Sequence, residues 1–149
     1  MTEEQVTKAI LNWLELKDWE IICFDFPQSG MGILLHPNNE LRTTKNRGAI
    51  LPDIVAIKGG VVVFFENKDH FVLSDFKKVN ELRITTDYSE SIKNLLKGFK
   101  YSKIFYGVGL PYSKSTIIQC IENKDKTDFI VCLTPEGLVS IQYQIVSIF

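Results

Sequence analysis

The chain has 149 residues, 45% of them apolar, and a formal net charge of −1. That length and composition predict one soluble domain with a substantial core and no room for a second. The charge excludes a protein that holds nucleic acid by overall basicity, so any contact with phosphates needs a local patch. No apolar stretch is long enough to span a membrane and the Met1-Thr2-Glu3-Glu4 start is unlike a secretion signal, so a cytoplasmic location is the expectation. Cys23, Cys120 and Cys132 are odd in number and lie in apolar surroundings, and only His36 and His70 accompany them. They read as small buried hydrophobes rather than disulfides or zinc ligands.

Thr2-Glu3-Glu4-Gln5 has the form of a capping box, and Val6, Ile10, Trp13 and Leu14 form the apolar stripe of a helix over 3–17. A strand over 20–26 follows, rich in β-formers at Ile21-Ile22-Cys23-Phe24 and stopped by Pro27-Gln28-Ser29-Gly30. The segment 28–50, with a short strand at 33–36, is too long for an idle connection. It carries Arg42-Thr43-Thr44-Lys45-Asn46-Arg47, the best candidate phosphate patch. Arginine and glutamine can read base edges, so Gln28, Arg42 and Arg47 are candidate specificity residues, with Lys45 in the same nucleic-acid-binding patch.

Pro52-Asp53 then leads into an apolar run, a Gly59-Gly60 turn, a second apolar run and Glu66-Asn67-Lys68. A two-residue glycine loop sets a hairpin register in which facing residue numbers sum to 119, placing Asp53 opposite Glu66. Opposed Cβ atoms lie about 4.5 to 5.5 Å apart, and Lys68 emerges on the face of Glu66. One hairpin face carries Val55, Ile57, Val62 and Phe64 and the other Ile54, Ala56, Val61, Val63 and Phe65, so both sides are covered in a central strand pair. Two carboxylates side by side at the end of such strands repel each other and lose hydration, at a cost of several kcal/mol unless a cation neutralises them. Magnesium, with oxygen ligands at about 2.0 to 2.1 Å, would be served by Asp53, Glu66 and a backbone carbonyl such as that of Asn67. Beside two acids Lys68 is held protonated, which suits it to stabilising charge on a scissile phosphate and orienting water rather than to acting as a base. The plainer alternative is that the two acids cap exposed strand ends and pair with Lys68 as an ordinary ion pair.

Glu122-Asn123-Lys124-Asp125 repeats the tetrapeptide Glu66-Asn67-Lys68-Asp69, but no Pro-Asp strand precedes it and its charges read as a solvated helix end. His70 would share the face of Glu66 only if the strand continued; a loop histidine is expected. Helix 74–83 turns Phe76, Val79 and Leu82 inward. Asp87-Tyr88-Ser89-Glu90 resembles a second capping box, opening a helix that ends at Gly98 with Tyr88, Ile92, Leu95, Leu96 and Phe99 inward. Strand 103–109, reached by a right-handed crossover, a Ser113-capped helix, strand 129–134, a turn at Pro135-Glu136-Gly137 and a strand from Leu138 complete the chain. Lys77, Lys78, Lys93, Lys97, Lys100 and Lys103 are weaker binding candidates, since lysines at helical spacing usually form a solvated face. The apolar stretch Ile145-Val146-Ser147-Ile148-Phe149 either completes the core or meets another subunit.

Pro52-Asp53 followed thirteen residues on by Glu66-Asn67-Lys68 resembles the PD-(D/E)XK nuclease superfamily, whose fold is restriction-endonuclease-like. The family core runs helix, three strands, helix, strand, and roughly the first 110 residues can be read in that order. The resemblance implies an α/β (α+β) fold with an αβββαβ core, a central mixed sheet flanked by helices, and here an additional C-terminal helix and β-hairpin. It implies Mg2+-dependent hydrolysis of DNA or RNA phosphodiesters, with Mn2+ able to substitute, Asp53 and Glu66 as metal ligands and Lys68 as the charge-stabilising group. Many members carry a further glutamate on the first helix. Glu3 lies at the edge of the apolar stripe and Glu4 points away, so Glu3 is the candidate auxiliary acid, although favouring the helix dipole would account for it equally well. Asn67 is polar where a core residue is usual, which suggests a bond to a following loop or to nucleic acid. The leading expectation is a small type II restriction endonuclease-like enzyme cutting double-stranded DNA as a homodimer. The alternatives are a Holliday-junction resolvase or DNA-repair nuclease of the same superfamily, or a binding or interaction module that has lost catalysis.

Overall fold

The computed structural model describes residues 1–26, 29–38 and 48–149. Helix α1 (Glu3–Leu16) opens on the capping box read from the sequence: Gln5 N–H donates to Thr2 Oγ1 at 3.2 Å and Thr2 N–H to Gln5 Oε1 at 2.8 Å. Its far end is closed from another element, where Lys58 Nζ donates to the Lys17 carbonyl at 2.6 Å.

Strands β1 (Glu20–Phe24), β2 (Ile54–Lys58) and β3 (Val61–Asn67) pair antiparallel in succession. The β2–β3 ladder runs from Ile54↔Phe65 to Lys58↔Val61, the register expected from the glycine loop. Gly59 and Gly60 adopt φ of 55° and 79°, the left-handed conformation that a two-residue hairpin loop demands at both positions. Helices α2 (Leu73–Ile84) and α3 (Ser89–Leu95) then carry the chain to β4 (Lys103–Pro111), which lies parallel to β3. Helix α4 (Lys114–Glu122), capped by Ser113, leads to β5 (Phe129–Leu133), parallel to β4, and β6 (Val139–Gln144) returns antiparallel. The result is a mixed α+β fold with one six-stranded sheet in the order β1-β2-β3-β4-β5-β6 and helices on both faces.

The two faces divide the hairpin as the alternation predicts. Ile54, Ala56, Val63 and Phe65 pack under Val6, Ile10 and Leu14 of α1, while Val55, Ile57, Val62 and Phe64 pack against Phe76, Val79, Leu82 and Ile92 of α2 and α3. Phe149 joins the first of these cores, its ring 5.0 Å from those of Trp13 and Phe129. Of the two readings of the apolar C-terminal stretch, core completion therefore holds for Phe149. All three cysteines are buried and free.

Two local expectations are corrected. The strand at 33–36 reduces to one bridge, Leu35 with Ile50. Helix α3 has no capping box of its own, since its N-cap residue Tyr88 makes no side-chain cap. Asn38 supplies the cap from a distant loop: its Oδ1 accepts from Glu90 N–H at 3.1 Å, and its Nδ2 donates to the Thr86 carbonyl at 2.8 Å and to Ser89 Oγ at 3.0 Å. Asn38→Ala is expected to lower stability by about 1 to 2 kcal/mol in urea unfolding, although its sequence neighbourhood is an irregular loop.

Candidate active site

The end of the sheet where β2 begins and β3 finishes collects charge from four elements. Asp53 stands one residue before the β2–β3 ladder, its backbone pinned on both sides: its N–H donates to the Phe65 carbonyl at 3.0 Å and its carbonyl accepts from Asp25 N–H at 2.8 Å. Its side chain reaches across to β3, where Oδ2 accepts from Asn67 N–H at 2.6 Å. Glu66 leaves β3 toward α2. Both carboxylates are buried, with 7% and 6% of their residue surfaces exposed.

The cations are arranged differently from the sequence expectation. Lys68 pairs with Glu3 of α1, Nζ to Oε2 at 3.2 Å, and Glu66 takes its direct ion pair from Lys78 of α2 at 2.6 Å. Lys68 acts on Glu66 through space, as one of several charges around it. Glu4 faces Lys8 at 2.6 Å, so of the two glutamates in the first turn it is Glu3 that reaches the cluster. Asn67 is also corrected: its side chain is fully buried and donates from Nδ2 to Thr7 Oγ1 of α1 at 3.1 Å, rather than to a loop or outward. Gly109 on β4 makes this possible, because a Cβ there would lie 2.5 Å from Asn67 Oδ1. Asn67 Oδ1 is buried with no hydrogen-bond partner among the described residues, and the backbone carbonyl of Asn67 stays the candidate metal ligand. His70 is exposed and bonded to Asp69, a loop histidine outside the cluster. Gln28, Arg42, Lys45 and Arg47 lie outside the described residues.

Asp75 and Lys78, from the start of α2, were not assigned to the site by sequence reasoning. The signal lay in helical spacing: at i and i+3 they flank the inward stripe Phe76, Val79 and Leu82, so both must project over the sheet edge where β3 ends. The helix is held from its other end, where Arg83 Nε donates to Asp128 Oδ1 at 2.8 Å and Asp128 Oδ2 accepts from Tyr106 N–H at 2.9 Å.

Burial dominates the electrostatics. It pushes Asp53 up to about 8, helped by the charges of Glu66 and Glu3 and opposed by the Asn67 N–H bond and Lys78. Glu66 is also raised, by burial first, against the charge and hydrogen bond of Lys78. Burial raises Asp75 as well. For Lys68 burial works to lower the value, but the hydrogen bond and charge of Glu3, with Asp75 and Glu66, outweigh it, and the ammonium is held above its ordinary range. When all are ionised, four carboxylates, Glu3, Asp53, Glu66 and Asp75, face two ammonium groups, Lys68 and Lys78. The cluster then lacks two positive charges, the charge of one divalent cation.

The oxygen donors at this end of the sheet are of the type that hard cations take. Asp53 Oδ1 and Glu66 Oε2 have no hydrogen-bond donor among the described residues. No group of three or more histidine, cysteine, aspartate or glutamate side chains among the described residues is arranged to hold a metal, so an ion would rest on two carboxylates, a carbonyl and water. Magnesium keeps several waters and accepts such a partial cage, whereas structural zinc does not.

No family model and no curated protein matches the chain. Among solved structures it is similar to an XisH family protein from Nostoc punctiforme PCC 73102, with 12% sequence identity and a TM-score of 0.42 over 91% of this chain and 96% of that one. No described helix is long and apolar enough to cross a membrane.

Proposed function

We propose that this chain is a Mg2+-dependent endonuclease of the PD-(D/E)XK kind, hydrolysing phosphodiester bonds of double-stranded DNA in the manner of small type II restriction enzymes, with Mn2+ as an alternative ion. The observation that carries the reading is the pair of buried carboxylates, Asp53 and Glu66, held at adjacent strand ends, whose charge when ionised the surrounding lysines do not cancel. Asp53, Glu66 and the Asn67 carbonyl would hold the ion, which when bound supplies electrostatic stabilisation of the phosphate. Lys68 is a fixed positive charge for the same phosphate, and its raised pKa makes it a charge stabiliser rather than a base. Glu3 is a positioning residue, acting on the chemistry through the ion pair that aims Lys68. One such site per chain calls for a homodimer to cut both strands.

A second reading, a module that keeps the fold without catalysis, is favoured by one contact: Lys78 already neutralises Glu66 at 2.6 Å. Against it, Lys78 leaves Asp53 without a cation of its own. Nicking of supercoiled plasmid with Mg2+ decides between them. The endonuclease reading expects cutting by the wild type and its loss in Asp53→Ala and Lys68→Ala, and equal behaviour of all three would remove it. Comparing a linear duplex with a four-way junction separates the restriction-like reading from a resolvase or repair nuclease.

A further inference from the structure

Glu66 and Lys78 form an ion pair of unequal partners. The Glu66 side chain is 7% exposed and the Lys78 side chain 32%, with Nζ 2.6 Å from Oε1. The ammonium can therefore return to water at small cost, whereas the ionised carboxylate cannot do without a cation. Lys68 is no substitute, since its own ammonium is held by Glu3 on α1 at 3.2 Å. Lys78 also bears on the second proposed ligand, because its charge lowers the Asp53 carboxyl.

The helix that carries Lys78 does not depend on this contact for its place. Phe76, Val79 and Leu82 seat α2 in the core, and Arg83 anchors its last turn to the Asp128 carboxylate at 2.8 Å and the Asp125 carbonyl at 3.0 Å. An arginine fork fixes geometry, whereas a lysine is a point charge on a flexible stem. Among the described residues Lys78 Nζ donates to Glu66 alone. One end of α2 thus has a fixed anchor and the other a movable cation.

Resting on the endonuclease reading, we infer that Lys78 is an exchangeable counterion: it neutralises Glu66 in the metal-free chain, and a divalent ion on Asp53 and Glu66 replaces that contact and sends the ammonium out to water. Two cations on one buried carboxylate repel each other, so the contact and the ion compete without having to overlap. Linkage makes the competition reciprocal. Whatever stability Lys78 gives the metal-free protein, it takes from the affinity for the ion. The pair that speaks for a silent module thereby becomes the resting state of a metal site.

The test is a thermodynamic cycle at pH 8 on the wild type, Lys78→Met and Lys77→Met. Tm is measured in EDTA and in saturating Mn2+, and Mn2+ affinity is measured calorimetrically without nucleic acid. Lys77, exposed one residue earlier on α2, controls for loss of charge alone. Lys78→Met is expected to lower Tm by about 4 °C in EDTA, to match the wild type in saturating Mn2+, and to bind Mn2+ about tenfold more tightly. Lys77→Met is expected to match the wild type in all three. Lys78→Gln, which keeps a donor for Glu66 without the charge, takes the same place in the cycle should Lys78→Met not fold. An equal Tm loss with and without Mn2+, unchanged or weaker Mn2+ binding by the Lys78 variant, or the same tightening in Lys77→Met would each overturn the inference and leave the endonuclease reading standing. A folded wild type that binds no Mn2+ would overturn both.

Discussion

Asp53→Ala is expected to reduce cleavage by about three orders of magnitude or more in single-turnover assays with Mg2+. The size of the effect follows from the small number of protein ligands. With two carboxylates and one carbonyl as the proposed ligands of an ion, deleting Asp53 removes one of the two charged ones, and no third acid among the described residues is arranged to replace it. Glu66→Gln is expected to fall nearly as far, and the double variant little further, because two ligands of one ion act as a unit. Lys78→Met should behave differently. It removes the cation nearest Glu66 without removing a ligand, and its measurable consequence is a change in the Mg2+ concentration for half-maximal cutting rather than loss of cutting at saturation.

The second large effect has the opposite sign from most core substitutions: Asp53→Asn is expected to stabilise the metal-free protein. Asp53 is pushed up to about 8 from an ordinary value of 3.8, chiefly by burial and by Glu66. Between those values the folded chain holds a proton that the unfolded chain has released, so stability falls as pH rises from about 4 to about 8. Glu66, raised as well, adds to the fall. The raised Lys68 contributes stability that is lost only above its ordinary value of 10.5, outside this window. Asparagine keeps an acceptor for Asn67 N–H and carries no charge, so at pH 8 and above the variant should gain about 3 to 5 kcal/mol, or on the order of 10 °C in Tm. Thermal melts in EDTA across this range check it: the wild-type curve should slope downward with pH and the variant curve should be flatter. A wild type that gains stability from pH 5 to pH 8 would contradict the account.

How far the sequence was legible depends on the range of the contacts. The hairpin register, the division of its faces and the position of Asp53 near Glu66 follow from a two-residue glycine turn and a period of two, both local. Choosing Glu3 over Glu4 needed only 100° per residue around α1. The partners of the two lysines were not legible in the same way. Lys68 and Lys78 both act on Glu66, and which of them pairs with it directly depends on the angle at which α2 leaves the loop after β3. Asn67 looked out of place on a core face because its partner, Thr7, lies sixty residues away on a helix whose docking depth no local pattern states. The Asn38 cap of α3 was hidden for the same reason, with a plausible local box at Asp87 to Glu90 drawing attention away from it.

Asp53 and Glu66 together are the proposed seat for one divalent ion. Calorimetric titration of Mn2+ at pH 8 into the wild type and Asp53→Asn, without nucleic acid, tests it most directly. One ion per wild-type chain, with protons released on binding and no binding by the variant, is the predicted result. Equal binding by the two proteins, or none by a folded wild type, would contradict it.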